Sequence, residues 1–261
     1  MLLKLLSTPG FFFAMLFLML ICLETGRRIR SLAFIKKNMM SSSGISNGPV
    51  ETVIYALFGL LLAFTFTGAG TRFEARLHLI TDEANAIGTA YLRIDFLPKE
   101  VQPQMRNLFK QYTLIRANAY KKINNEAYTK SMMDSTVNFQ KQIWNMAVNN
   151  CEKQGASRDC SKLVMPSFNE MFDITTTREM AQQNHPPTII YIMLILLSLF
   201  SAILVGYDLP RSNRRNLMYM LSYALIISLV LCVIIDLETP RYGFINVHNL
   251  DKIFLDMSQT M

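Results

Sequence analysis

The stretch TVIYALFGLLLAFTFTGAGTRFEARLHLITDEANAIGTAYLRIDFLP, residues 52–98, decides the fold. Its first part, 52–70, carries no charge and is long enough to cross roughly 30 Å of hydrocarbon as a helix. Past Gly70 charge appears, at Arg72, Glu74, Arg76, Asp82 and Glu83, yet no turn signal interrupts the chain before Pro98. Proline has no amide hydrogen and clashes with the preceding turn, so the run ends there. The pattern predicts one helix that leaves a membrane and continues as the first helix of an extramembrane domain.

Working outward, the chain has 261 residues, 51% of them hydrophobic, and 17 Met and 17 Phe fall heavily in four apolar runs. These predict spans at about 5–23, 52–70, 188–207 and 217–235. The first run could also serve as a signal-peptide core, but no small-x-small site follows it. Arg27, Arg28 and Arg30 come after it rather than before it, so a retained span is expected. Residues 24–49 then read as a basic loop ending in a Ser/Gly/Asn/Pro linker at 41–49. The expected fold is an all-α integral membrane protein with four transmembrane helices. They form two hairpins, 1–70 and 188–261 with a short tail, flanking a helical extramembrane domain at 71–187.

Within that domain Pro103 suits the start of a second helix, with Met105, Leu108, Tyr112, Ile115 and Ala119 on one face. A third segment, 132–148, carries Val137, Phe139, Ile143, Trp144 and Ala147. A loop covers 149–162, and a fourth helix runs from Pro166 to about Gln183 with Phe168, Met171 and Phe172 as core candidates. No run alternates with period two, so no sheet is expected.

The net charge of +7 does not point to nucleic acid, because the basic residues crowd the ends of apolar runs instead of forming tracts among exposed aromatics. Arg27, Arg28, Arg30, Lys36 and Lys37 in loop 24–49, with Arg211, Arg214 and Arg215 in loop 208–216, outnumber Lys4, Arg241 and Lys252 on the other side. The positive-inside rule then puts both loops in the cytoplasm of a bacterial cell. The middle domain and both termini face the periplasm, where Cys151 and Cys160 can form a disulfide. Cys22 and Cys232, inside apolar runs, read as small buried side chains.

Enzymatic chemistry finds little support. The three histidines, His78, His185 and His248, have no metal spacing, and there is no HExxH, GxSxG or phosphate-cradling glycine loop. Neither an enzyme nor a cofactor is expected. The polar residues Glu83, Asn85 and Tyr91 suggest either a cluster lining an ion path or subunit contact, or the rim of a tight helix crossing. Gly88 costs about 1 kcal/mol relative to Ala inside a helix, which argues for close packing or a bend there. In the second span Gly59, Ala63, Thr67 and Gly70 form a small-residue stripe suited to helix packing. Phe58, Leu62 and Phe66 form an apolar stripe that either packs ordinarily or constricts a pore in a ring of subunits. At the end of the fourth span Asp236 and Glu238 sit near Arg241, and an interfacial ion pair with Arg72 or Arg76 is expected.

EANAIGTAYLRIDFLP (83–98), QYTLIRANAY (111–120), QIWNMA (142–147), LVGY (204–207) and DLETPRYGFINV (236–247) resemble the bacterial bestrophin-like membrane family over about residues 51–258. Bestrophins are oligomeric anion channels. The resemblance therefore implies a homo-oligomer in the lipid bilayer that passes small inorganic anions, with Phe58, Leu62 and Phe66 in the place of a channel neck. Two features differ from animal bestrophins. No dense acidic stretch follows the fourth span, and the loop charges put the middle domain outside rather than in the cytosol. The alternative is a membrane-anchored periplasmic interaction or sensory module without transport activity.

Overall fold

A computed structural model describes residues 9–37, 48–121, 125–209, 214–241 and 251–261. Its helices are α1 (Pro9–Lys37), α2 (Gly48–Leu92), α3 (Gln102–Asn118), α4 (Glu126–Cys151), α5 (Cys160–Gln183), α6 (Thr188–Asp208), α7 (Arg214–Glu238) and α8 (Lys252–Thr260). A short 3₁₀ turn, Arg93–Phe96, follows α2, and the described residues contain no strand. Four helices are long and apolar enough to cross a membrane. The fold is an all-α membrane protein, as the apolar runs predicted.

The decisive stretch is a single helix of 45 residues, α2. Nothing in 48–92 breaks it after Pro49, and the 3₁₀ turn that ends it comes just before Pro98. The first helix is longer than its apolar run. It continues to Lys37, so most of the expected basic loop 24–49 is helical. Its polar half contains no proline, and Gly26 sits in a contact that holds the helix instead of ending it. The 41–47 linker, Lys4, Arg211, His248 and the block from Tyr242 to Val247 lie outside the described residues.

The chain divides into two units, Met1–Phe73 with His185–Ile245, and Glu74–Asn184 with Asn246–Met261. The membrane unit is assembled mainly by α1 lying along α6 and, less extensively, along α7. Its core includes Met15, Met19 and Leu23 of α1, Phe58 and Ala69 of α2, Leu194 and Ala202 of α6, and Ala224, Leu231 and Ile234 of α7.

The helical unit packs α3 against α4 and α8, and α5 against α4 and the 3₁₀ turn. The tail, read from the sequence with the second hairpin, belongs here instead, because α8 supplies Phe254 and Ser258 to this unit's core. The buried face of α3 is Met105, Phe109, Tyr112, Thr113, Arg116 and Ala117. Leu108 and Ile115, expected on it, are only half-buried. On α4 the buried positions are Thr136, Ile143, Ala147 and Cys151, whereas Val137 is exposed. Helix α5 starts at Cys160, and Pro166 stands inside it rather than opening it. Phe168 and Met171 are buried as expected.

Candidate functional site

The side chain of Glu83, on α2, is fully buried in the helical unit between two arginines from different helices. Arg116 of α3 donates Nε to Glu83 Oε1 at 2.5 Å, and Arg178 of α5 donates Nη1 to Oε2 at 2.6 Å. Arg178 Nη2 donates to Asp251 Oδ1 at 2.7 Å, beside the start of α8. Arg116 Nη1 reaches Glu179 at the edge of the cluster, at 3.3 Å. Thr175 donates to Glu83 Oε1 at 3.3 Å, and its hydroxyl lies 2.9 Å from Tyr112 Oη. The two guanidiniums also cover the ring of Tyr120, with centroid distances of 5.7 and 5.0 Å.

Burial alone would raise the Glu83 carboxyl. The charges of Arg116 and Arg178 outweigh that effect and hold it below its ordinary value. Burial pushes Tyr112 up to about 12, so it stays a hydroxyl donor. Two buried carboxylates face two buried guanidiniums, and each charge has a geometrically good partner. Glu83 is the member both arginines share, and its loss would leave buried ions unpaired, which is costly. It is already neutralised from within, which makes it a fastening rather than an anion site.

The rest of the EANAIGTAY stretch divides between water and packing. Asn85 is exposed and does not join Glu83. Tyr91 donates to the backbone oxygen of Met261 at 3.0 Å and carries the Arg106 guanidinium 4.8 Å from its ring centroid. A Cβ placed on Gly88 would meet Met257 Cε at 3.7 Å, an ordinary contact with α8. The expected trio of Glu83, Asn85 and Tyr91 is therefore three separate environments. Asn85, two residues from Glu83, points to the other side of the helix, whereas Tyr91 lies two turns along on the same side as Glu83 and meets different partners.

In the membrane unit the closest helix approach does not involve the 59–70 stripe. A Cβ on Gly206 of α6 would stand 2.0 Å from the Leu23 carbonyl oxygen, and one on Gly26 of α1 would stand 2.0 Å from that of Ile203. Each glycine thus faces the other helix's backbone, an approach only residues without a side chain permit. Gly59 and Gly70 have nothing within 4 Å of such a Cβ, and Ala63 and Thr67 are exposed. Phe58 is buried, Leu62 half-buried and Phe66 45% exposed, so the apolar stripe leaves its own unit progressively.

Arg72 donates Nε to Glu238 Oε1 at 2.7 Å, joining α2 to the end of α7. Glu238 is fully buried, and its other oxygen lies 3.5 Å from His185 Nδ1. Asp236 is also buried, and Arg241 is half-buried. Arg76 donates to the carbonyls of Ala181 and Asn184 at 3.1 and 3.0 Å, which caps the end of α5. Cys151 and Cys160 are joined in a disulfide, with their Cα atoms 5.3 Å apart, linking the last residue of α4 to the first of α5. No group of metal-ligating side chains occurs among the described residues.

Sequence reasoning passed over Arg116, Arg178, Asp251, Gly26 and Gly206. The signal for Arg116 was present: Met105, Phe109, Tyr112, Arg116 and Tyr120 follow helical spacing, and a charge in the middle of such a face needs a buried partner. Arg178 and Asp251 offer no comparable local sign.

Four membrane-length helices around a glycine crossing, with a second unit of helices built on a buried charge cluster, define a multi-pass helical membrane protein. The chain belongs to the bestrophin-like family, whose domain matches residues 33–250. The comparison with curated proteins found no match, and neither did the comparison with solved structures.

Proposed function

We propose that this chain is one subunit of an oligomeric ion channel, selective for small inorganic anions, in the inner membrane of a bacterium. Membership of the bestrophin-like family supports the reading. The observation that carries it is the state of α2 in the membrane unit. Gly59 and Gly70 face open space, and Phe66 is 45% exposed on a helix of lipid length. A second copy laid against this small-residue face would bring Phe66 and Leu62 towards a common axis, where an apolar ring controls hydration of a pore. Phe58 is committed to its own unit's core, so the constriction is assigned to the other two.

The orientation we propose places α1's basic end and the α6–α7 connection in the cytoplasm, with the helical unit outside. The loop charges and the Cys151–Cys160 bridge support it independently, since disulfides persist in oxidising compartments. Planar-bilayer recording of the purified, reconstituted oligomer tests the function. Anion-selective current that changes when Phe66 is replaced by Ala supports the channel. A well-folded oligomer without conductance leaves the membrane-anchored interaction module in its place.

A further inference from the structure

The α2 face that begins at Glu83 has an occupant within its own unit, the chain's C-terminal helix. Helix α8 has 9 residues, with Phe254 and Ser258 buried and Asp251 just ahead of its first turn. Asp251 meets Arg178, Phe254 lies under the same guanidinium at 5.3 Å, Met257 lies against Gly88, and the Met261 backbone accepts from Tyr91. Thr113 of α3 donates to the Met261 sulfur at 3.6 Å. The spacing Asp251, Phe254, Met257, Met261 is one helix face, and each member has a complementary feature on α2, α3 or α5.

We propose that α8 is a dissociable latch. The surface formed by Gly88, Tyr91, Thr113 and Arg178 is a receptor for an Asp-x-x-Phe-x-x-Met helix, occupied by the chain's own tail. The latch opens while the remainder of the helical unit stays folded. Three physical features set this hierarchy. Helices shorter than about 12 residues do not hold in water without docking, so α8 folds and docks as one event. Its outer positions, Lys252, Asp256, Gln259 and Thr260, are exposed, and Ile253 is 39% exposed. The other fastenings of the unit do not involve the tail: Arg116 and Arg178 both bind Glu83, and the disulfide joins α4 to α5. A short helix docked by one face, with its outer positions in solvent, opens at lower free energy than the core of longer helices to which it attaches.

When the tail leaves, Arg178 keeps Glu83 and loses Asp251, and the vacated groove is apolar with one guanidinium at its end. That chemistry accepts an acidic residue at a helix start followed by an aromatic, which is the tail's own pattern. The proposal is independent of whether the protein conducts ions.

Hydrogen exchange read by mass spectrometry on the full-length protein in detergent tests it. In the wild type, amides of 252–261 should exchange at least tenfold faster than those of α3, in an opening of their own. Asp251→Asn should accelerate the tail by about another tenfold and leave α3 and α4 unchanged. A synthetic peptide covering 251–261, added in excess to the Asp251→Asn protein, should restore protection at 84–91, and the same peptide carrying Asn in place of Asp251 should not. Exchange of the tail and α3 in one common event would overturn the latch, as would an Asp251→Asn tail with wild-type protection. Failure of the peptide to protect 84–91 would overturn the receptor.

Discussion

Each of the two units of this chain is held together internally, and by opposite means. In the membrane unit the decisive contact is an absence of side chain, Gly26 and Gly206 each facing the other helix's carbonyl. In the helical unit it is a concentration of side-chain charge, with Glu83, Arg116, Arg178 and Asp251 all buried. The orientation proposed above, with the first unit in lipid and the second in water, accounts for the difference. Lipid gives apolar helices no reason to associate, so close van der Waals approach does the work, and glycine permits it. In water, apolar burial already drives association, and a buried ion cluster adds registry: each guanidinium reaches Glu83 from its own helix in one arrangement. The same long helix, α2, contributes to both units.

The comparison breaks most sharply at Glu83. Glu83→Gln leaves two guanidiniums buried with one full counter-charge removed, and should destabilise the helical unit by about 3–5 kcal/mol. Thermal unfolding in detergent, followed by far-UV dichroism, measures it. Replacing the whole set together (Glu83→Leu, Arg116→Met, Arg178→Met and Asp251→Leu) should recover most of that loss, because apolar side chains need no partners. If the fourfold variant is as unstable as Glu83→Gln, the cluster's value is not electrostatic. The sign of the pH dependence follows from the same geometry. The folded-state value of Glu83 is lowered, so its contribution is fully present above the ordinary carboxylate range, about 4. That contribution is lost as the pH falls below that range towards the folded-state value. Acid unfolding of the wild type should therefore begin earlier than that of the fourfold variant.

Reduction or replacement of the Cys151–Cys160 bridge comes next. It closes a loop of about ten residues, so Cys151→Ala with Cys160→Ala should cost somewhat under 3 kcal/mol on the chain-entropy account. The membrane unit holds only Cys22 and Cys232 and should be indifferent to the reductant. A reductant that lowers the wild-type melting temperature but not that of the double variant confirms the assignment to the helical unit.

In the membrane unit, Gly206→Ala sets a methyl 2.0 Å from the Leu23 carbonyl oxygen. Helices α1 and α6 must separate, at about 1–3 kcal/mol as overpacked sites go. Gly59→Ala, on the same class of helix but facing open space, should leave the protomer's melting temperature unchanged. Equal effects at the two glycines would remove the distinction drawn between crossing and stripe.

Much of this architecture was legible in the sequence, and its limits are physical. The apolar runs, the long α2 and the absence of strands among the described residues follow from composition and periodicity, which are local. Glu238 against Arg72 was also anticipated, because carboxylates at the end of a span call for a cation on the same side. Two members of the cluster around Glu83 were not: Arg178 lies 95 positions from Glu83, Asp251 lies 73 from Arg178, and neither carries a local sign. The glycine stripe misled for a related reason. Small residues mark faces where a helix can approach, and the sequence of α2 does not say whether the approaching helix is in the same chain. Gly26 looked like part of a loop because charge follows it, yet charge does not end a helix that has left the bilayer.

The smallest expected effect on stability carries the most functional information. Phe66 is 45% exposed, so Phe66→Ala should change the stability of the protomer by no more than about 0.5 kcal/mol. Phe58 is only 5% exposed within the core of the membrane unit, and Phe58→Ala should cost about 3–5 kcal/mol. Under the channel reading the order reverses in bilayer recordings. Phe66→Ala removes an apolar side chain from the constriction and should raise conductance or open probability, while Phe58→Ala should only lower the yield of folded protein. If Phe66→Ala leaves current unchanged while a polar substitution at Leu62 alters it, the constriction lies one turn earlier on α2. If neither moves the current, the exposed face of α2 serves lipid or subunit packing and the conducting path lies elsewhere.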